Sequence, residues 1–325
     1  MIYLSKGKGV LIKKDTANLI DKTDGIIFDC DGVLVDVSKS YDLAIKQTTK
    51  FVLKQFVNLN SIPITPAIIS GFKATGGFND EVDVTYASIV SLVAAAQLGI
   101  NPKKLITTVI NNANSTGIVS VEKFLDTMSV DLTDIRKKLD YPGPHITNPL
   151  YKIFDQMFYG AKLYKKIFHK PSIFTQRGLI ENDVVIVSKK LLDILSIKFQ
   201  NKIAIVTGRG KQSTLYSLDK LFNQFNVGAS VFLEDKPRRL AKPNPKSLIM
   251  SINSLGSKYS IYVGDSMEDL LMTKKAKNLG KKTIFCGIYG TAENPLAKKK
   301  FFEKNKADLI LESINLLPKA LNLAN

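Results

Sequence analysis

The sequence predicts an α/β protein, a doubly wound parallel sheet with an inserted, mainly α-helical domain, and three observations predict it. Short apolar, β-branched runs near 25–30, 202–207, 229–233, 259–264 and 282–286 have the continuous hydrophobicity of strands covered on both faces. Three of them end in polar groups, Asp29, Thr207 and Asp265, and open parallel sheets bind ligands at the carboxyl ends of their strands. About 170 residues separate the first run from the second, far more than a simple crossover between parallel strands needs.

Taken in order, the elements divide the chain into a sheet domain, 1–37 with 188–325, and an insertion, 38–187. Residues 1–24 precede the first core strand and suit a hairpin or an edge cover. Inside the insertion, helices are expected at about 38–56, 82–99, 103–113, 119–128 and 148–168. Proline and glycine breaks fall at 63–66, 76–77, 100–102, 142–149 and 171. The helix near 84–100 is the most apolar, and Ser88, Ser91 and Gln97 within it mark a buried core helix. Residues 308–322 are expected to close the sheet domain as an amphipathic helix.

The first run ends Asp29-Cys30-Asp31-Gly32. Positions i and i+2 of an extended chain share a face, so two carboxylates meet at one strand end. That is tolerable if a divalent cation neutralises one while the other exchanges a proton. The tetrapeptide also suits a strand-to-turn exit or half of a calcium loop, although Ser40 stands at the twelfth loop position, where calcium loops place Glu. Thr207-Gly208-Arg209 offers a hydroxyl and amides to a phosphate oxygen, or is an ordinary junction. Lys242, pinned before Pro243 and Pro245, is either a fixed ammonium near a helix start or a solvated charge. Asp265 follows Gly264, and Asp269 lies one helical turn on; Ser266 and Asp269 also read as a helix cap.

In this order the residues resemble the four motifs of the haloacid dehalogenase (HAD) superfamily, subfamily IA-like and phosphoglycolate-phosphatase-type: Asp29-x-Asp31-Gly32-Val33-x-x-Asp36, Thr207-Gly208, Lys242-Pro243 and Gly264-Asp265-Ser266-x-x-Asp269. The resemblance implies a HAD-like Rossmannoid core and makes the insertion an enlarged helical cap that shields the site from water and sets substrate choice. It implies Asp29 as nucleophile and Mg2+ ligand, and Asp31 as general acid/base lending its carbonyl to the metal. Thr207, Gly208 and Lys242 would bind phosphate; Asp265 would ligate Mg2+ with help from Asp269. The implied activity is a magnesium-dependent phosphomonoesterase acting on a small phosphorylated metabolite through an aspartyl-phosphate. The alternatives are a phosphomutase of the same superfamily and a non-catalytic basic binding protein that retains the fold. Asp31 argues against dehalogenation and phosphonate hydrolysis. In the insertion, Lys73 to Thr85 contains Gly76-Gly77-Phe78-Asn79-Asp80. It reads as a loop with a helix cap, or as a segment whose Lys73, Asn79 and Asp83 face the active site and recognise the leaving group.

Composition bounds the partners. The net charge is +17 and the pI about 9.6, but Lys is spread along the chain with no arginine-rich arm. That argues against nucleic acid as the main partner and suits steering of an anionic substrate. Two cysteines without metal-finger spacing point to a reducing, cytoplasmic setting. In the implied strand order Cys30 and Cys286 flank the Asp265 strand; two spacings of about 4.8 Å exceed disulfide reach, so both are expected free. His145 and His169 fall in the insertion without metal-ligand spacing and read as structural or exposed. The N-terminus has no signal-peptide layout, no membrane partner is expected, and the sequence carries no signal of oligomeric state.

Overall fold

A computed structural model describes residues 2–60, 62–78 and 80–323. The chain forms two compact units, Met1–Asp36 with Val184–Asn325, and Val37–Asp183. The return to the first unit comes four residues earlier than the sequence suggests. Val184 and Val185 pair antiparallel with Asp36 and Val35, and Ile186 N donates to Leu34 O at 2.8 Å.

The first unit opens with a hairpin, β1 (Tyr3–Ser5) and β2 (Val10–Lys13), followed by α1 (Lys14–Ile20). The next strands are β3 (Gly25–Phe28) and the short β4 (Val35–Asp36).

The second unit is helical: α2 (Tyr41–Val57), α3 (Pro66–Ala74), α4 (Glu81–Leu98), α5 (Pro102–Asn112), α6 (Ile118–Leu125), α7 (Thr133–Leu139) and α8 (Pro149–Phe168). The five expected helices are present. α3 and α7 are additions, each with only a turn or two of buried apolar residues, such as Ile135 and Leu139 on α7, too short for a periodicity to stand out. Starts follow local chemistry: Thr65, Asn101 and Asn148 each accept an amide of the first turn, with proline at the next position. Every residue of α4 from Val82 to Ala95 is buried, so α4 is the core helix, contacted by α2, α5, α6 and α8. It is long and apolar enough to cross a membrane, but 78% of it is buried inside the protein.

The chain returns through β5 (Val184–Val185), α9 (Lys189–Phe199), β6 (Ile203–Thr207), α10 (Lys211–Leu218), β7 (Val231–Phe232), α11 (Lys246–Leu255) and β8 (Ser260–Gly264). It ends with α12 (Met267–Asn278), β9 (Thr283–Ile288), α13 (Pro295–Lys304), β10 (Leu309–Leu311) and α14 (Leu317–Ala320). The sheet order is β1-β2-β10-β9-β8-β3-β6-β7, parallel from β10 to β7 and antiparallel at β1 and β2. All residues of β3, β6, β8 and β9 are buried, as their unbroken apolar runs require. β3 lies between β8 and β6, where the strand order reverses, and that switch point is where such sheets open a crevice.

One expected element differs. Residues 308–322 are not one helix: Leu309–Leu311 form a buried strand between β9 and β2, and only Leu317–Ala320 is α-helical. Three consecutive buried apolar residues, Leu309–Leu311, match a strand covered on both faces. Cys30 and Cys286 are buried and, among the described residues, in no disulfide.

Candidate active site

β3 carries Asp29 to its carboxyl end, where the Asp29 amide donates to Val263 O of β8 at 2.8 Å. Only 6% of Asp29 is exposed, and its Oδ1 accepts from the Cys30 amide at 2.8 Å. The chain then turns sharply: Leu34 N and Val35 N both donate to Cys30 O. Gly32 makes this turn at φ +72°, with the Asp265 carboxylate so close that an added Cβ would lie 2.6 Å from Oδ2. Any side chain at position 32 would displace that carboxylate.

Lys242, from the loop before α11, is the hub of the charges. Its Nζ lies 2.8 Å from Asp29 Oδ1 and 2.7 Å from Asp269 Oδ1, and its side chain is 2% exposed. Asp269 is wholly buried in the first turn of α12. Its Oδ1 also accepts from Tyr262 Oη at 2.9 Å. Its Oδ2 accepts from Ser266 Oγ at 2.7 Å, Ser266 N at 3.1 Å and Asp265 N at 3.2 Å. Gly264 permits this fold-back, since a Cβ there would sit 2.6 Å from the Asp269 carboxyl. The expected cap and the expected site residue are therefore the same group, joined in a capping box with Ser266.

Asp31 stands at the mouth, a quarter exposed, with Arg209 Nε 2.6 Å from its Oδ1. The Arg209 side chain is wholly buried, and its Nη1 donates to Ser217 Oγ at 2.7 Å. Thr207 is buried at the end of β6, where its Oγ1 accepts from Arg209 N at 3.3 Å. Beside Gly208 an added Cβ would meet nothing within 4 Å, so space is open where a phosphate oxygen is expected. Glu234 N donates to Gly208 O and Gly210 N donates to Glu234 Oε2, which fixes this loop.

The electrostatics follow from burial among like charges. Burial pushes the Asp29 carboxyl well above the usual range; Asp269, Asp31 and Asp265 add to this, and Lys242 opposes it. Burial would pull the Lys242 ammonium down, but Asp269 and Asp29 outweigh it and hold it above the ordinary lysine value. Asp269 stays below the usual range because Lys242, Ser266 and Tyr262 outweigh its burial.

One carboxylate oxygen from each of Asp29, Asp265 and Asp269 falls within a cluster 4.8 Å across, a hard-oxygen donor set that fits Mg2+. Asp269 has already given its oxygens to Lys242, Tyr262, Ser266 and Asp265 N. Asp29 and Asp265 are thus the carboxylates best placed to ligate a metal, and Asp269 holds Lys242.

The core residues named from sequence, Asp29, Asp31, Thr207, Gly208, Lys242, Asp265 and Asp269, all lie in the first unit, around the carboxyl ends of β3, β6 and β8. Three participants escaped the sequence reading. Arg209 directly follows the Thr207-Gly208 motif and Tyr262 lies in the strand before Gly264, but nothing in their spacing marks them. Lys298, whose Nζ is 3.5 Å from Asp265 Oδ2, belongs to a lysine triple that reads as surface.

The helical-unit candidates have local partners. Lys73 Nζ pairs with Glu81 Oε1 at 2.9 Å. Asp83 is 5% exposed and accepts from Tyr141 Oη at 2.6 Å, inside its own unit. Asp80 caps α4 by accepting from Val82 N. Asn79 lies outside the described residues. These contacts favour the loop-and-cap reading of the segment. His145 pairs with the buried Asp155 at 2.8 Å, and His169 ends α8 in a left-handed conformation.

No protein-family model matches the chain. Imidazoleglycerol-phosphate dehydratase of Phytophthora nicotianae is 26% identical over 156 residues, covering 43% of this chain and 33% of that protein. The chain thus spans about a third of that relative's length. Three solved structures align over most of the chain. The Northeast Structural Genomics Consortium target ZR25 is 18% identical, covers 92% of this chain and 98% of its own, and has a TM-score of 0.62. A phosphatase from Thermococcus thioreducens is 22% identical (83% and 94% covered, TM-score 0.55). A phosphonoacetaldehyde hydrolase-like protein from Oleispira antarctica is 15% identical (92% and 91% covered, TM-score 0.53). The chain shares the α/β fold of these structures, a central parallel sheet with flanking helices, as the order of its motifs led one to expect.

Proposed function

We propose that the protein is a magnesium-dependent phosphomonoesterase acting on a small phosphorylated metabolite through an aspartyl-phosphate on Asp29. The observation that carries this is the buried Asp29, paired with Lys242 at 2.8 Å and clustered with Asp265 and Asp269 at the switch point of the sheet. Buried carboxylates so close are costly unless charge arrives to neutralise them, and a phosphoryl group with a divalent cation is what such a cluster can use. Two comparisons are in keeping with it: a structural neighbour named a phosphatase, and a relative named for a phosphate-bearing substrate.

In this reading an Asp29 oxygen attacks phosphorus as the ester oxygen departs, and Asp31 gives that oxygen its proton. Lys242 orients Asp29 and, with Thr207 and the Gly208 amide, holds the phosphoryl oxygens. Water then attacks phosphorus, Asp31 takes its proton, and the bond to Asp29 breaks to release phosphate. Bound through Asp29, Asp265 and the Asp31 carbonyl, Mg2+ would supply charge neutralisation for the phosphoryl oxygens. The residues carry out the proton transfers.

The test is inorganic phosphate release from a panel of phosphorylated metabolites, with Mg2+ and with chelator, for wild type and a folded Asp29→Asn variant. The expected result is Mg2+-dependent release that Asp29→Asn abolishes. Release that survives the substitution contradicts the reading, and conversion of a substrate to a phosphorylated isomer without free phosphate marks a mutase.

A further inference from the structure

The metal-site reading gives no role to Lys298, which faces Asp265. Lys298 lies in the first half of α13, whose start is capped by Asn294 accepting from Ala297 N at 3.0 Å. The helix is anchored by the wholly buried Phe302, which packs on Phe285 at 5.7 Å between ring centroids. Phe302 also fills the space beside Gly287, where an added Cβ would meet its ring at 2.8 Å. Lys298 is one turn before Phe302 on the same helix face. Its Nζ lies 5.9 Å from the Phe302 ring centre and 3.5 Å from Asp265 Oδ2. Its neighbour behaves differently: Lys299 reaches Glu303 of its own helix at 3.9 Å. One lysine of the triple is therefore aimed at a candidate metal ligand, from a helix whose position the core fixes.

The charges of the site can be matched in turn. Lys242 serves Asp29 and Asp269, Arg209 serves Asp31, and Lys298 serves Asp265. On the other side of Asp265 stands the Gly32 backbone. A dication entering at Asp265 therefore meets Lys298 as a like charge.

We propose that Lys298 is a built-in counter-ion of Asp265 that competes with the divalent cation, so that metal affinity is set below what the carboxylates alone would give. The inference rests on the reading that Asp29 and Asp265 hold a divalent cation. Lys298 balances Asp265 when no metal is bound and opposes the metal when it binds. Occupancy then follows the free Mg2+ concentration instead of staying saturated. Both side chains are about a quarter exposed, so solvent and salt screen the repulsion. A unit charge beside a dication in such a site weakens binding by about three- to tenfold.

The experiment measures Mg2+ binding by calorimetry and Mn2+ binding by electron paramagnetic resonance on the full chain, without substrate and at one pH. The variants are Lys298→Met, Lys298→Arg, Lys299→Met and Asp265→Asn, with folding checked by circular dichroism. Lys298→Met keeps the apolar stem over Phe302 and removes the charge, so it should tighten both cations by about three- to tenfold. Lys298→Arg should restore wild-type affinity, and Lys299→Met should leave it unchanged. Wild-type or weaker binding by Lys298→Met overturns the proposal, as does equal tightening by Lys299→Met. If Asp265→Asn abolishes binding while Lys298→Met changes nothing, the metal-site reading stands and only the role of Lys298 fails. If wild type binds neither cation, both fail together.

Discussion

Replacing Lys242 with Met removes an ammonium that faces two buried carboxylates, at 2.8 Å and 2.7 Å, with side-chain exposures of 2% for Lys242, 9% for Asp29 and 0% for Asp269. Breaking a buried ion pair by deleting one partner costs about 3–5 kcal/mol. Asp269 keeps its Ser266 and Tyr262 donors, and Asp29 can take up a proton, so the lower end, about 3 kcal/mol near neutral pH, is expected. The sign with pH follows from Asp29, whose folded value is already raised by burial and by Asp269, Asp31 and Asp265. Without Lys242 it rises further. A carboxyl raised on folding contributes stability that is fully present below its unfolded value and is lost as pH rises through the folded value. The variant should therefore lose least at mildly acidic pH and most at mildly alkaline pH. The chain has no Trp, so urea unfolding is best followed by far-ultraviolet circular dichroism, with chelator present, at both pH values. Adding Asp269→Asn should recover part of the loss, since one uncompensated charge disappears. A loss equal at both pH values, or no loss at alkaline pH, would refute the view that Lys242 neutralises this pair.

Three further outcomes follow from named contacts. Tyr262→Phe removes a hydroxyl that bonds both Asp269 Oδ1 and Val206 O; it should cost about 1 kcal/mol in urea unfolding and slow turnover several-fold by loosening Lys242, and unchanged turnover would remove its positioning role. Asp83→Ala deprives Tyr141 of its buried acceptor, so it should destabilise the helical unit by about 1–3 kcal/mol and leave substrate ranking unchanged; altered ranking in an equally stable variant would return Asp83 to substrate recognition. Burial would raise the Asp24 carboxyl, but Lys202, the Tyr259 and Lys258 amides and Ser257 hold it below the usual range. Its stabilisation is present above the unfolded value near 3.9 and is lost as pH falls through the lower folded value. Asp24→Asn should flatten the acid limb of a stability–pH profile, and an unchanged limb would contradict this.

The core of the site was legible because its chemistry sits at strand ends. Asp29, Thr207 and Asp265 each close a run of buried β-branched residues, and glycines stand where carboxylates fold back against the backbone. The long gap before β6 revealed the insertion for the same reason: a crossover has a bounded length. What stayed hidden depends on contacts far apart in sequence. Tyr262 looks like any apolar strand residue until its hydroxyl is seen against Asp269. Arg209 and Lys298 are cations in a chain rich in them, and only the fold shows that one is wholly buried beside Asp31 and the other is turned toward Asp265. β10 is three residues long, too short for a pattern to separate strand from helix. Asp83 stayed open between two readings, because a polar residue near a helix start gives no sign of the tyrosine that buries it.

The central claim is that Asp29 takes the phosphoryl group, and a rapid acid quench tests it most directly. The protein would be mixed with Mg2+ and the best substrate of the panel, quenched within a turnover, and mapped by mass spectrometry across the peptide holding Gly25–Asp36. The account predicts one hydroxylamine-labile phosphoryl group on Asp29, absent from Asp29→Asn and accumulating in Asp31→Asn if water attack is the step slowed most. Phosphate released at full rate with no phosphoryl group on the protein, or with the group on another residue, would contradict it.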